Sequence, residues 1–469
     1  MSSTDTEALL RETLDHALAY LRSSAERPVG VPCDVESLRA RLAMPLSEHP
    51  MDAQNVVADL VSRATPGLVS SVGPRYFGFV VGGSLPAALA AEWLTAAWDQ
   101  NAALYKLSPA AMVVEEVVSG WLTEIFGLPS TASVGFVSGC QMASFTGLCA
   151  ARGEVLRRAG WDLEERGLAG APPLTVVLGE EAHATIYTAL RMLGIGRRQI
   201  VTVAADAQGR MRADALAKAL GGVSGPLVVC AQLGNVNTGA FDPCEDIAEL
   251  THEHGGWLHV DGAFGLWAAA SPALRHLVRG AARADSWAVD GHKWLNVPYD
   301  SAYAIVADPR AHRAAVANTA AAYLVPGDRG ERDAQDWVPE SSRRARGFAV
   351  YAALRALGRS GLAELVERTC GLARRMAERL AGAPGVAVLN EVVLNQVLVR
   401  FAPRGGDGGG DADAFTREVI ARVQRDGTCW VGPTVWKGQA AMRISVANWS
   451  TSEADADRSV DAILRAARS

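Results

Sequence analysis

Lys293 lies in Asp290-Gly291-His292-Lys293-Trp294, directly after the apolar run Asp285-Ser286-Trp287-Ala288-Val289. A lysine leaving an apolar strand beside a histidine is poorly placed for a solvated surface and well placed for covalent chemistry. A partly desolvated ammonium loses its proton more easily, and the neutral amine can form a Schiff base. A second strand-like run, Trp257-Leu258-His259-Val260-Asp261, ends in a carboxylate followed by Gly262-Ala263. An amine nucleophile with a buried carboxylate is the pair that pyridoxal phosphate needs: the lysine holds the aldehyde, and the carboxylate keeps the ring nitrogen protonated. Alone, such a lysine reads as half of a structural ion pair; the residues around it decide otherwise.

Those residues depend on the elements that carry them. Between about 130 and 310, short β-branched runs alternate with helical patterns, the mark of a largely parallel sheet covered by helices. The expected strands are 133–137, 174–178, 199–203, 227–233, 257–260, 286–289 and 301–306. In such sheets ligands sit outside the carboxyl ends of the strands. Gly139, Cys140 and Gln141 follow the first strand and precede a helix expected over 142–157, whose amino terminus offers free N–H groups to a phosphate. His183 follows the second strand, Asn235 the fourth, Asp261 the fifth and Lys293 the sixth. One convergent site accounts for all five strand ends.

Leucines and alanines at helical spacing open the chain as an amphipathic helix over about 6–22. Beyond about 350 come a long helix, two strand-like segments (396–401 and 441–446) and a final helix over 452–467. The expected organisation is an N-terminal helical segment (1–80), a large cofactor-binding α/β domain with a mainly parallel seven-stranded sheet (81–350) and a smaller α+β domain (351–469). The Gly-rich stretch 404–411 lacks the lysine of a phosphate loop and reads as a hairpin loop.

With 469 residues, 49% hydrophobic and 20% charged, the chain has the composition of a globular protein. A net charge of −6 and the lack of any long basic run argue against nucleic acid as a partner. Seven cysteines with no CxxC pair fit reduced cytoplasmic thiols rather than a disulfide framework or a metal site. The acidic start does not read as a signal peptide, and Gly82, Gly83, Pro86 and Glu92 interrupt the longest apolar stretch, arguing against a membrane span.

The chain resembles the group II pyridoxal-phosphate-dependent amino-acid decarboxylases, of fold type I. The likeness rests on Trp257-Leu258-His259-Val260-Asp261-Gly262-Ala263, His292-Lys293-Trp294-Leu295, Glu181-Ala182-His183, the run from Gly234 to Pro243, Pro74 to Phe79, and Ser108-Pro109. It implies that Lys293 carries the cofactor and Asp261 pairs with the pyridine nitrogen. His183 would stack on one ring face and Ala263 pack against the other. Gly139, Cys140, Gln141 and His292 would hold the phosphate, and Asn235 would bond a cofactor oxygen or the substrate carboxylate. Tyr323, in a polar segment, resembles the family's catalytic-loop tyrosine, which protonates the substrate carbon after CO2 leaves; His292 is the second candidate for that proton. The substrate pocket would include Phe79, Val80, Gly82 and Trp436, with residues near Asn101 and Ala103 from the other subunit of a homodimer.

Three features depart from the family pattern. The phosphate loop reads Gly-Cys-Gln, Asn235 replaces a frequent threonine, and Asp290 stands where asparagine is common. A carboxylate beside a phosphate is repulsive unless it is held away or paired. The implied reaction is decarboxylation of an L-amino acid to its amine, with an apolar or aromatic side chain favoured because no arginine is clearly placed for a side-chain carboxylate. Aldehyde-forming or carbon–carbon lyase chemistry on the same scaffold is the nearest alternative. An aminotransferase and a non-catalytic cofactor-binding protein are more distant ones.

Overall fold

The structure, a computed structural model, describes residues 3–30, 33–317, 332–403 and 411–468. Contacts between Cα atoms divide the chain into two compact units. One holds Gly82–Arg374 with Leu389–Leu398; the other holds Met1–Val81, Arg375–Val388 and Val399–Ser469.

The first unit is built on a seven-stranded sheet: β1 (Ser133–Val137), β2 (Thr175–Gly179), β3 (Ile200–Val203), β4 (Leu227–Gln232), β5 (Trp257–Asp261), β6 (Ser286–Asp290) and β7 (Ala302–Val306). Their spatial order is β1-β7-β6-β5-β4-β2-β3, and only β7 runs antiparallel to its neighbours. Strands β1, β4, β5, β6 and β7 are buried at every residue, which is why they read as continuous apolar runs rather than alternating ones. The edge strand β3 is partly exposed. The sequence places all seven strands to within a residue or two at each end.

Three helices open the chain: α1 (Ser3–Ser23), α2 (Val35–Leu42) and α3 (Ala53–Ala64). Asp34 and Asp52 accept the free N–H groups at the starts of α2 and α3. Then follow α4 (Pro86–Trp98) and α5 (Pro109–Phe126), each with proline in its first turn, where no N–H is needed. The sheet is wound with α6 (Cys140–Arg158), α7 (Leu163–Arg166), α8 (Ala184–Met192), α9 (Ala213–Leu220), α10 (Cys244–Glu253) and α11 (Pro309–Val316). Leu148 and Val155 of α6 and Ile186 and Leu190 of α8 pack on Val176, Leu178 and Val228, forming one apolar layer against the sheet. Helix α12 (Gly347–Ala381) is broken at Gly358, whose φ of 61° is left-handed and suits glycine. No helix among the described residues is long and apolar enough to cross a membrane.

The C-terminal part contains β8 (Val386–Val388), β9 (Gln396–Phe401), α13 (Ala412–Asp426), β10 (Gly432–Trp436), β11 (Gln439–Ser445) and α14 (Glu453–Arg468). Its sheet has four strands, ordered β10-β11-β9-β8, where the sequence shows two. Strand β8 is only three residues long, with no fully buried position. Strand β10 carries Pro433, which is tolerated because β10 lies at the sheet edge. The Gly-rich stretch lies outside the described residues up to 410; Asp411 caps α13.

Candidate active site

The carboxyl edge of the large sheet gathers most of the reactive residues. Asp261 ends β5 and Lys293 follows β6, its parallel neighbour, with Asp261 in register with Ala288. Asp261 is buried; its Oδ1 accepts Ala263 N at 3.1 Å and the Cys140 thiol at 3.6 Å. Cys140 is the first residue of α6, and its backbone N–H donates to Asp290 Oδ1 at 2.6 Å. Asp290 Oδ2 pairs with Lys293 Nζ at 2.7 Å. A Cβ on Gly139 would lie 3.6 Å from His292 Cε1. Gly139, Cys140, Asp261, Ala263, Asp290, His292 and Lys293 therefore form one cluster.

Gly82 closes this cluster from the chain segment before α4. A Cβ there would lie 1.8 Å from the Lys293 carbonyl oxygen, so only glycine permits the approach.

The electrostatics correct one sequence expectation. Burial does push the Lys293 ammonium towards losing its proton, and it is the largest single influence. The charges of Asp290, Cys140 and Asp261, with the hydrogen bond from Asp290, together outweigh it and hold the amine above its ordinary value. Lys293 thus rests as an ammonium. The Cys140 thiol is raised well above its ordinary value by burial first and then by Asp261 and Asp290, so it is a donor and not a nucleophile.

His292 is lowered by burial, with Asp290 acting in the opposite direction. Its Nδ1 accepts Ser301 N at 3.2 Å, which puts the proton of the neutral ring on Nε2, 3.4 Å from Asp290 Oδ1. Tyr299 stacks on the His292 ring with centroids 4.4 Å apart. Tyr299 and Ser301 belong to the turn between Lys293 and β7, and no periodicity in the sequence marks them as site residues.

Asn235, beyond β4, is almost fully buried. Its Oδ1 accepts Asn237 N at 2.8 Å and Thr238 N at 3.2 Å, while Nδ2 is a buried donor with no partner among the described residues. His183, beyond β2, caps α8: its Nδ1 faces Thr185 Oγ1 at 2.7 Å and Thr185 N at 3.4 Å. Gln141 is exposed in the first turn of α6. The Asn101 amide contacts Ser342 Oγ at 3.4 Å and accepts Arg343 N at 3.2 Å.

Phe79, Val80 and Trp436 belong to the other unit. Phe79 is exposed and stacks on Trp430 at 5.4 Å, Val80 is buried, and Trp436 is buried at the end of β10. Tyr323 lies outside the described residues.

These residues fit pyridoxal phosphate. An amine and a carboxylate stand beyond the carboxyl ends of two adjacent parallel strands, and Asn235 Nδ2 is a buried donor with no protein acceptor among the described residues. A sequence model of the pyridoxal-dependent decarboxylase conserved domain matches residues 36–402, well over half of the chain. The chain belongs to the pyridoxal-dependent decarboxylase family. Members of this family are carboxy-lyases, and the cofactor is pyridoxal 5′-phosphate. Among curated relatives, tryptophan decarboxylase 1 of Oryza sativa subsp. japonica is 28% identical over 95% of this chain and 90% of its own length. The L-2,4-diaminobutyrate decarboxylase of Rhizobium meliloti is 32% identical over 81% of this chain and 75% of its own. The 4-hydroxyphenylacetaldehyde synthase of Rhodiola rosea is 25% identical over 92% and 88%. The crystal structure of Oryza sativa TDC with PLP and tryptamine covers all of this chain and 98% of that one at a TM-score of 0.92, with 24% identity. That likeness establishes the type I fold.

Proposed function

We propose that this decarboxylase converts an L-amino acid with an apolar or aromatic side chain to its amine and CO2. The observation that carries the reading is the placement of Lys293 and Asp261 at the carboxyl ends of adjacent parallel strands. Bound pyridoxal phosphate supplies a ring that can draw in the electron pair left by departing CO2. Asp261 would hold the proton on the ring nitrogen; Ala263 N and Cys140 both bond its Oδ1, which orients the carboxylate. Lys293 would anchor the cofactor and would be the group that the substrate amine displaces. Asn235 Nδ2 donates to a cofactor oxygen or to the substrate carboxylate, and His292 Nε2–H is a donor for the phosphate. His183 would cover a face of the ring, Ala263 would lie against the other, and Gly139 and Gln141 would frame the phosphate. Tyr323 would return the proton to Cα, with His292 as the second candidate.

Phe79, Val80, Gly82 and Trp436 are the pocket residues in this reading, joined by Asn101 from the partner subunit. The Asn101 amide is held by Ser342 and Arg343, so it serves as a fixed wall. Two arginines of the large unit are committed to carboxylates: Arg343 lies 2.7 Å from Glu115, and Arg346 makes two 3.0 Å bonds to Asp300.

A homodimer in the cytoplasm, with the site completed at the subunit interface, belongs to the same proposal. Trp93, Leu94 and Trp98 of α4 and Val113 and Val117 of α5 are exposed large apolar side chains, and all seven cysteines are free thiols. Sedimentation at micromolar concentration tests the dimer.

Aldehyde formation is the second reading, favoured by the likeness to the Rhodiola synthase. The deciding experiment presents a panel of L-amino acids to the loaded protein while CO2, amine, aldehyde, ammonia and hydrogen peroxide are measured. Amine and CO2 in equal amounts support decarboxylation. Aldehyde with ammonia and hydrogen peroxide, formed as O2 is consumed, selects the second reading, and no CO2 from any substrate overturns both.

A further inference from the structure

Asp290 opposes the cofactor that the rest of the cluster fits. Its Oδ1 takes the first N–H of α6, and its Oδ2 takes the Lys293 ammonium. Both partners are groups the cofactor needs. The amino terminus of a helix is a ready-made phosphate site, and a lysine must give up its proton and its ion pair before it can add to an aldehyde.

The backbone that carries this carboxylate is fixed. Asp290 is buried at the end of β6, its N–H bonded to Ala263 O at 2.9 Å and its carbonyl to Trp267 Nε1 at 2.9 Å. Strand β7 pairs with it on the other side, Asp290 in register with Ala302. A bound cofactor would engage the Lys293 amine that now pairs with this carboxylate and would bring a second anion beside it.

We propose that Asp290 is a cofactor-release residue: its carboxylate competes with the phosphate of pyridoxal phosphate for the amino terminus of α6 and pairs with Lys293 when the cofactor is away. The protein therefore exchanges its cofactor readily instead of holding it tightly. This inference rests on the assignment of pyridoxal phosphate as cofactor.

The test is an equilibrium titration of the full-length apoprotein, followed by the Lys293-dependent visible band and by quenching of tryptophan emission. Wild type, Asp290→Asn and Lys293→Ala are each titrated with pyridoxal phosphate and with phosphate-free pyridoxal. The amide introduced by Asp290→Asn matches the carboxylate in size, and its oxygen can still accept Cys140 N, so the helix start keeps its bond. The expected result is that Asp290→Asn lowers the Kd for pyridoxal phosphate about tenfold or more, and that for pyridoxal by less than about threefold. Asp290→Ala, which removes the charge without supplying a donor, should shift the pyridoxal phosphate Kd in the same direction. Equal affinity in wild type and variant, weaker binding by both variants, or equal gains for the two ligands would each overturn the proposal while leaving the cofactor intact. Absence of a Lys293-dependent band in wild type and variants alike would instead overturn the cofactor assignment.

Discussion

Lys293 Nζ lies 2.7 Å from Asp290 Oδ2, and the charge of Asp261 acts on the same ammonium, so one cation serves two carboxylates at the strand edge. The two carboxylates have different work. Asp261, bonded to Ala263 N and Cys140, is oriented by its own turn, whereas Asp290 is balanced mainly by Lys293.

Asp261→Asn should separate cofactor binding from catalysis. The amide keeps the size of the side chain but removes the negative charge that holds the ring nitrogen protonated. The visible band is expected to persist while kcat falls by about three orders of magnitude. Steady-state kinetics beside a spectral titration check this; a variant within tenfold of wild type would remove Asp261 from its role.

Gly82→Ala should disturb the lysine from behind. The new Cβ meets the Lys293 carbonyl oxygen at 1.8 Å and Asn296 Cγ at 3.0 Å, and the first of these is backbone that cannot rotate away. A stability loss of about 1–3 kcal/mol is expected, together with a weaker band. Denaturant midpoints and absorbance measure both, and wild-type values for the two would show that the backbone relaxes freely.

The sheet is legible in the sequence because its inner strands are buried on both faces and stand out as apolar runs, and the strand ends then locate Cys140, Asp261 and Lys293. What one chain cannot show is the return path of its loops. Tyr299 and Ser301 fix the ring of His292 from a turn with no periodic signal. The cap made by Asp290 on Cys140 joins positions 150 residues apart. The lysine's charge state is hidden for the same reason: burial follows from an apolar strand, but the opposing carboxylates become visible only once the strands are laid side by side.

His259 should make the fold acid-sensitive. It is fully buried on β5, with Nδ1 2.9 Å from Ser286 Oγ, and burial lowers it to about 4 from an ordinary 6.5. Below pH 6.5 the unfolded chain takes up this proton and the folded chain does not, so stability present above pH 6.5 is lost as pH falls towards about 4. The effect is of order 3 kcal/mol for this residue. His312, lowered to about 3 by burial, adds to the slope in the same direction. Urea midpoints between about pH 7.5 and 4.5 should fall more gently in His259→Gln than in wild type; an unchanged slope would exclude His259 as a source.

Glu115 and Arg343 form a buried ion pair whose halves should not be separable. They are 2.7 Å apart, and Arg343 also donates to Ala102 O at 2.7 Å and Phe136 O at 2.8 Å. Burial raises the Glu115 carboxyl, and Arg343 acts against that rise. Glu115→Gln, which leaves the guanidinium without its counter-charge, is expected to cost about 3–5 kcal/mol. The double variant Glu115→Gln/Arg343→Met should lose less than the sum of the single losses in a double-mutant cycle. Additive losses would mean that the two charges are not coupled.

The most direct test of the central claim is release of labelled CO2 from carboxyl-labelled L-tryptophan, L-phenylalanine and L-tyrosine by protein loaded with pyridoxal phosphate, beside the Lys293→Ala variant. The account predicts release from at least one of the three by wild type and a fall of at least about a thousandfold in the variant. Release that survives loss of Lys293, or none from wild type with any of the three while an acidic or basic amino acid reacts, would contradict it.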